Sequence, residues 1–343
     1  MKKKITYLLV FLLIIAVVAA FIMLTPATDF NAKTKYVYVT PGTDAKQQVL
    51  SQLDTLISRT GVFTFTANTM GIWKNITPGR FEIKKGESLL GIIRTFQKNR
   101  QAEVVLNIGR VRTKESLARL IGKNFSIDSA AAIREFNDSV YLQKFGVDTN
   151  TLLSLIIPKT YTFQWQTPLD SVLSRFKTEK DSFWHADERM QKATSMGFSP
   201  LQVCILASIV EEETNKDDEK GNIASVYINR LNTKMALGAD PTIKFALKDF
   251  SLKRILYNHL TVNSPYNTYK YKGLPPGPIC TPSHTTIDAV LNAPATGYLF
   301  FVAKSDFSGY HHFSTTFAEH EQYAKEYQRA LDELMQKKQE ENK

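Results

Sequence analysis

The chain has 343 residues, enough to bury one large core or two, and its hydrophobic fraction of 43% is ordinary for a globular protein. Its 43 basic and 33 acidic residues leave a net charge of +10. Apart from Lys2, Lys3 and Lys4 the surplus is spread out, with no arginine-rich block and no zinc-knuckle cysteines; this argues for polyanionic surroundings, a membrane surface or a cell wall, over a nucleic-acid partner.

Ile5 to Leu24 is apolar without a single charge. About 20 such residues span a bilayer, and the lysines before them hold the N-terminus in the cytoplasm. A cleaved signal peptide is the alternative, with Ala16, Ala19 and Ala20 as small residues, but Phe21-Ile22-Met23-Leu24 carries the apolar run past them. No cysteine follows for lipid attachment. The expectation is a retained single-pass anchor, with everything after about Thr25 outside the cytoplasmic membrane.

Pro26 to Lys35 reads as a polar tether. Three similar segments follow. Tyr36-Val-Tyr-Val leads through Pro41-Gly42-Thr43 into a helical pattern at Val49, Leu50, Leu53, Leu56 and Ile57. Phe81-Glu-Ile leads through Lys85-Gly86-Glu87-Ser88 into Leu89, Leu90, Ile92, Ile93 and Phe96, and Val104 to Ile108 leads through Gly109 into Leu117, Leu120 and Ile121. Each is an alternating strand, a glycine turn and a short amphipathic helix, which predicts small βα modules stacked on one another. The second, GRFEIKKGESLLGIIRTF, resembles a LysM-like module, a type associated with binding peptidoglycan glycan.

Ile127 to Phe145 is helical in pattern, Leu152 to Phe163 reads as an apolar strand leading into a proline turn, and Pro168 to Trp184 as a helix. Tyr161, Phe163, Trp165 and Trp184 are dense here, as core residues or as faces for a sugar. Next comes SPLQVCILASIVEEET. Ser199 is an N-cap and Pro200 sits at the first helical position, where a missing N–H costs nothing. Leu201, Cys204, Ile205, Leu206, Ile209 and Val210 give the helix a broad apolar flank. It ends in Glu211, Glu212 and Glu213, against the negative end of its own dipole. Glu213 continues the line of Gln202, Leu206 and Ile209. A carboxylate at the edge of a core has a raised pKa and can arrive protonated, as a general acid must; a solvated acidic helix end is the other reading.

A helix over Asn222 to Leu231 follows, then Asp240-Pro241-Thr242, which repeats the cap-and-proline device at the start of another. Ser264 to Ile279 is a proline-rich loop bearing Tyr266, Asn267 and Tyr269, rigid without regular hydrogen bonding and suited to carbohydrate. A helix over Thr286 to Ala293, strands at Tyr298 to Ala303 and Tyr310 to Phe313, and a charged helix from Phe317 close the chain. Cys204 and Cys280 lie in an apolar helix and a proline-rich loop; a buried free thiol is expected of Cys204.

LASIVEEET, NIASVYINRL, M-x-L-x-x-DPT, YNTY-x-x-x-GLPPGPI and the H-x-F at His311 to Phe313 occur in that order, and on these blocks the chain resembles the MltG (YceG-like) endolytic murein transglycosylase family. The resemblance implies an α+β fold: an N-terminal transmembrane helix, LysM-like βα modules, then a mixed α+β catalytic domain around a central Glu-bearing helix. The expected boundaries are 1–4 cytoplasmic, 5–24 transmembrane, 25–35 tether, 36–150 LysM-like region and 151–343 catalytic domain. It further implies internal cleavage of peptidoglycan between N-acetylmuramic acid and N-acetylglucosamine, leaving a 1,6-anhydro-muramyl end. The family's catalytic glutamate, directly before the Thr of E-x-E-T, falls on Glu213. The residue between the glutamates, commonly Lys, is Glu212 here, a like charge expected to raise the pKa of the acid.

One acid suffices for that reaction because the muramyl 6-hydroxyl attacks its own anomeric carbon, whereas most glycosidases need two carboxylates. Asn229, Arg230, Asp240, Tyr266, Asn267 and Tyr269 are the expected substrate-binding residues, Asn229 and Asp240 having structural capping as the alternative. No metal and no cofactor are expected. The expected partners are glycan strands and, through the anchor, the membrane; a peptidoglycan synthase is a candidate partner and nucleic acid is not. Alternatives are a hydrolytic muramidase of the same fold and a non-catalytic wall-binding scaffold. A zinc hydrolase built on His311, His312 and His320 is disfavoured because the chain has no H-E-x-x-H.

Overall fold

The structure, a computed structural model, describes residues 2–341. Met1, Asn342 and Lys343, at the ends of the expected cytoplasmic and catalytic segments, lie outside the described residues. The fold is mixed α+β: helices predominate, and three two-stranded sheets stand among the described residues. The chain divides into two units, one of residues 1–106, 124–127 and 162–168, the other of 107–123, 128–161 and 169–343. The expected boundary after residue 150 falls inside the second.

The first unit begins with α1 (Lys2–Leu24), long and apolar enough to cross a membrane. Its side chains are exposed on every side from Ile5 to Phe21 and half-buried at Ile22 and Met23. Arg59 holds its end, donating to the carbonyls of Ile22 at 2.7 Å and Pro26 at 2.6 Å and to the Thr25 hydroxyl. A guanidinium there satisfies orphan carbonyls and opposes the negative end of the dipole. β1 (Thr34–Val39), α2 (Ala45–Leu53), α3 (Thr60–Thr69), β2 (Gly79–Lys84) and α4 (Leu89–Gln97) follow. β1 pairs antiparallel with β2, Thr34 opposite Lys84 through Val39 opposite Gly79, so Val37, Val39, Phe81 and Ile83 reach one core with Leu53, Phe63, Ile92 and Phe96.

The expected stack of three like modules is not what forms. The first two strands share one sheet, while β3 (Val104–Asn107) pairs with β4 (Thr160–Phe163) in another. α2 stops at Leu53, short of Leu56 and Ile57. α3 has no counterpart in the sequence expectation, because VFTFT alternates like a strand and Gly and Thr are poor helix formers.

In the second unit come α5 (Lys114–Asn124), α6 (Ser129–Phe136), α7 (Ser139–Gln143), α8 (Leu169–His185) and α9 (Arg189–Ser195). Leu152 to Ile157 is not the strand its apolar run suggests: a 3-10 turn over Leu152–Leu155 leads to Pro158, which cannot donate to a ladder. The run is buried, and burial alone gives the same apolar pattern to a strand or a packed turn.

α10 (Pro200–Glu213) is the core of this unit, packed against α9, α11 (Lys220–Asn232), α12 (Asp240–Leu247) and α13 (His284–Leu291). Ser199 and Gln202 form a capping box, each side chain bonding the other's backbone N–H. Every residue from Val203 to Val210 is buried, so the helix is covered all round and not on one flank. Its one hydroxyl in that stretch, Ser208, donates to the Ile205 carbonyl and accepts from the Ile279 N–H at 3.0 Å, docking the proline-rich loop on the helix. Both cysteines are free and buried, and burial pushes the Cys204 thiol up to about 12. β5 (Phe300–Ala303), β6 (His311–Ser314) and α14 (Phe317–Glu341) complete the unit, the two strands pairing antiparallel from Phe300 opposite Ser314.

Candidate active site

The C-terminal turn of α10 carries three adjacent carboxylates in three different environments. Glu211 is buried and accepts from the Ser283 hydroxyl at 2.8 Å and from the Thr286 hydroxyl, with Arg110 at 3.3 Å and the Lys220 ammonium at 3.6 Å. Burial alone would raise its pKa, but the Thr286 and Ser283 hydrogen bonds and the Lys220 charge reverse this and hold it below the usual carboxylate range. Glu212 meets Arg112 in a two-pronged pair, Nε to Oε1 at 2.8 Å and Nη2 to Oε2 at 3.0 Å. Both therefore have partners that offset the unfavourable dipole of their own helix.

Glu213 has no such cation. Burial pushes its carboxyl up to about 7, with the nearby Asp240 carboxylate adding to the rise; the Tyr227 hydroxyl, donating to Oε1 at 2.5 Å, and the more distant charges of Lys244 and Arg230 act the other way. The like charge acting on it is thus Asp240 and not, as expected, Glu212, which Arg112 neutralises. Glu213 opens on a cleft of about 450 Å³ lined by Tyr227, Arg230, Gly238, Asp240, Tyr269, Phe301 and His320. That volume lies in the range of small-ligand sites and admits a sugar ring.

Of the seven residues picked from sequence, the structure brings Glu213, Arg230, Asp240 and Tyr269 to this cleft. Asp240 is the first residue of α12 and not its cap, a place taken by Ala239; its carboxylate instead accepts from the Tyr269 hydroxyl at 2.5 Å. Arg230 donates to the carbonyls of Leu299 at 2.7 Å and Leu237 at 2.6 Å, so it braces the cleft wall and forms no ion pair with a glutamate among the described residues. Gly238, between them at φ 58°, takes a left-handed conformation, and a Cβ there would meet the Arg230 guanidinium at 3.5 Å.

The other three lie elsewhere. Asn229 spends its amide on the carbonyls of Thr296 at 2.8 Å and Tyr298 at 2.9 Å. Asn267 is fully buried and donates to the Leu260 and Val262 carbonyls, holding the loop's own backbone. Tyr266 packs at a tilt against Phe245, ring centroids 4.6 Å apart, and lines a separate cavity of about 210 Å³ with Arg112 and Lys248. Sequence reasoning missed Tyr227 as a site residue. Its signal was present: a tyrosine facing inward needs a partner for its hydroxyl. His311 bonds Glu219 at 3.0 Å, His312 stacks on Tyr323 and His320 on Phe300, and the described residues hold no group of three or more side chains placed to bind a metal ion.

The profile of the YceG-like family matches residues 37–326. The chain belongs to the YceG-like family. Over 196 residues, 57% of its length, this YceG-like chain is 34% identical to a protein of Bacillus subtilis (strain 168) named endolytic murein transglycosylase, of which 53% is covered. It is 25% identical over 314 residues to one of the same name from Streptococcus pneumoniae serotype 2 (strain D39), covering 80% of this chain and 55% of that one. The chain spans about half the length of the curated relatives it matches. In fold it is similar to the crystal structure of a yceG-like protein from Listeria monocytogenes, with a TM-score of 0.57 and 24% identity over 84% of this chain and 98% of the other.

Proposed function

We propose that the chain is a membrane-anchored lytic transglycosylase of peptidoglycan, cutting glycan strands internally with Glu213 as its single general acid and base. The observation that carries this is the split among the three glutamates: Glu211 is engaged by the Thr286 and Ser283 hydroxyls and Lys220, Glu212 by Arg112, and only Glu213 is kept protonable at about 7 beside an open cleft. Membership of the YceG-like family and the names of its relatives support the substrate class.

In this reading protonated Glu213 donates to the departing glycosidic oxygen. The muramyl 6-hydroxyl closes on its own anomeric carbon as that bond breaks, and the Glu213 carboxylate takes the hydroxyl proton, which regenerates the acid. Tyr227 steadies the carboxylate through the hydrogen bond at Oε1, leaving the other oxygen for substrate. The Tyr269–Asp240 pair and Phe301 offer a polar edge and an apolar face for a sugar. α1 would hold the site near newly made strands, where a synthase is the natural neighbour, with the N-terminus cytoplasmic and the chain after α1 outside. The β2–turn–α4 segment keeps its LysM-like reading as a glycan contact.

Hydrolysis is the second reading, favoured by one feature: Asp240 places another carboxylate in the same cleft, as a two-acid glycosidase requires. Clearing of purified sacculi by the intact chain, beside Glu213→Gln and Asp240→Asn chains of matching circular dichroism, tests both. Loss with the first and retention with the second is expected. Retained clearing by Glu213→Gln would remove Glu213 from the chemistry.

A further inference from the structure

The first unit carries a short helix whose outer face no part of the cleft chemistry uses. α3, TGVFTFTANT, has no charged residue, yet it lies on the surface. Phe63 and Ala67 fill its inner side. At 100° per residue, Val62, Phe65, Thr66 and Thr69 share the opposite face, where Phe65 is 73% exposed and Val62 38%. The hydroxyls of this helix are turned inward on it: Thr64 donates to the Thr60 carbonyl, Thr66 to Val62 and Thr69 to Phe65, at 2.8 to 2.9 Å. Three of its hydroxyls are thereby satisfied within the helix, and the Asn68 amide oxygen accepts from Trp73 just beyond it, which lowers the cost of a low-dielectric setting.

The position of this face is fixed by α1. Thr66, at the edge of it nearer the core, contacts the Met23 sulfur at 3.9 Å, one residue before the end of the apolar helix. Arg59, the residue before α3, grips the same end through Ile22, Thr25 and Pro26. Trp73, just beyond α3, is half-buried and donates to Asn68, and such amphipathic rings are enriched at bilayer boundaries.

We propose that α3 lies in the outer interface of the lipid bilayer, with Phe65 and Val62 immersed beside the emerging end of α1. This rests on α1 spanning the membrane and goes beyond it, because a spanning helix followed by a free tether would leave α3 in water. The first unit is then held to the bilayer at two points, the span and the interfacial helix, which restricts its tilt.

The test is spin labelling of the full-length chain in phosphatidylcholine–phosphatidylglycerol vesicles. Single nitroxides are introduced at Phe65→Cys, at Phe11→Cys within α1, and at Val105→Cys, which is 64% exposed in β3. Cys204 and Cys280 are buried, and a chain without added cysteine gives their background. Collision with oxygen, which concentrates in lipid, is compared with collision with a water-soluble nickel chelate. A severalfold higher oxygen-to-nickel ratio at positions 65 and 11 than at 105 is expected. A lipid-like ratio at 11 with a water-like one at 65 overturns the proposal and leaves the anchor standing. A water-like ratio at 11 overturns both, the anchor first.

Discussion

Replacing Glu213 by Gln separates the stability of this chain from that of its variant in a way that depends on pH. The carboxyl sits at about 7 in the folded protein against an ordinary 4.5, so the folded state binds this proton more tightly than the unfolded one. The stabilising contribution is complete below pH 4.5 and is lost as pH rises through about 7. At about 1.4 kcal/mol per unit the loss amounts to about 3 kcal/mol. Glutamine fills the same space, can still accept from Tyr227, and has no proton to lose. The two proteins should therefore be alike in stability near pH 4, and the variant should gain as pH rises, reaching up to about 10 °C in Tm above pH 8 for a domain of this size. Differential scanning calorimetry of both chains across pH 4 to 9, in one buffer series at fixed salt, reads the difference directly. A Tm difference that does not change with pH, or that favours the glutamate in alkali, would refute the account of a carboxyl stripped of water without a compensating cation.

The remaining predictions concern rate and the neighbours. If Glu213 must be protonated to act, kcat/KM on purified glycan should fall as pH rises through about 7; a profile flat to pH 9 would contradict this. Tyr227→Phe removes a hydrogen bond to the carboxylate and should move that limb to higher pH, whereas Asp240→Asn removes a like charge and should move it lower; shifts in the same direction would break the electrostatic argument. Arg112→Ala leaves Glu212 with only the longer Arg110 contact at 3.9 Å and should cost about 1–2 kcal/mol in urea unfolding, most of it recovered by adding Glu212→Gln. Ser199→Ala removes half of the capping box on α10 and should cost about 1 kcal/mol with no change in the pH profile.

The local features of the chain were legible because they rest on neighbours in sequence. Ser199 before Pro200 marked the start of α10, and the apolar periods at Leu89 to Phe96, Leu117 to Ile121 and Leu169 to Phe176 marked helices that form. What stayed hidden depends on residues brought together from far apart. Arg112 reaches Glu212 across 100 positions, Arg110 reaches Glu211 across 101, and Thr286 reaches Glu211 across 75. No period or motif announces such pairs, and without them Glu212 reads as an uncompensated charge beside Glu213. Asn229 and Asn267 misled for a related reason. An amide in a sugar cleft and an amide tying down a loop are the same residue in sequence, and only the carbonyls of Thr296, Tyr298, Leu260 and Val262 tell them apart. α3 escaped notice because its residues, Val, Phe, Thr and Gly, favour strands or turns over helices, and only the core contacts of Phe63 and Ala67 make it one.

Mass spectrometry of the ends left on purified glycan strands tests the central claim most directly, using the intact chain beside its Glu213→Gln variant. Fragments ending in 1,6-anhydro-muramic acid, absent from the variant's digest, are the predicted result. Reducing ends made by the intact chain would contradict it: water would then be the nucleophile, and Asp240 would have to serve as the second acid.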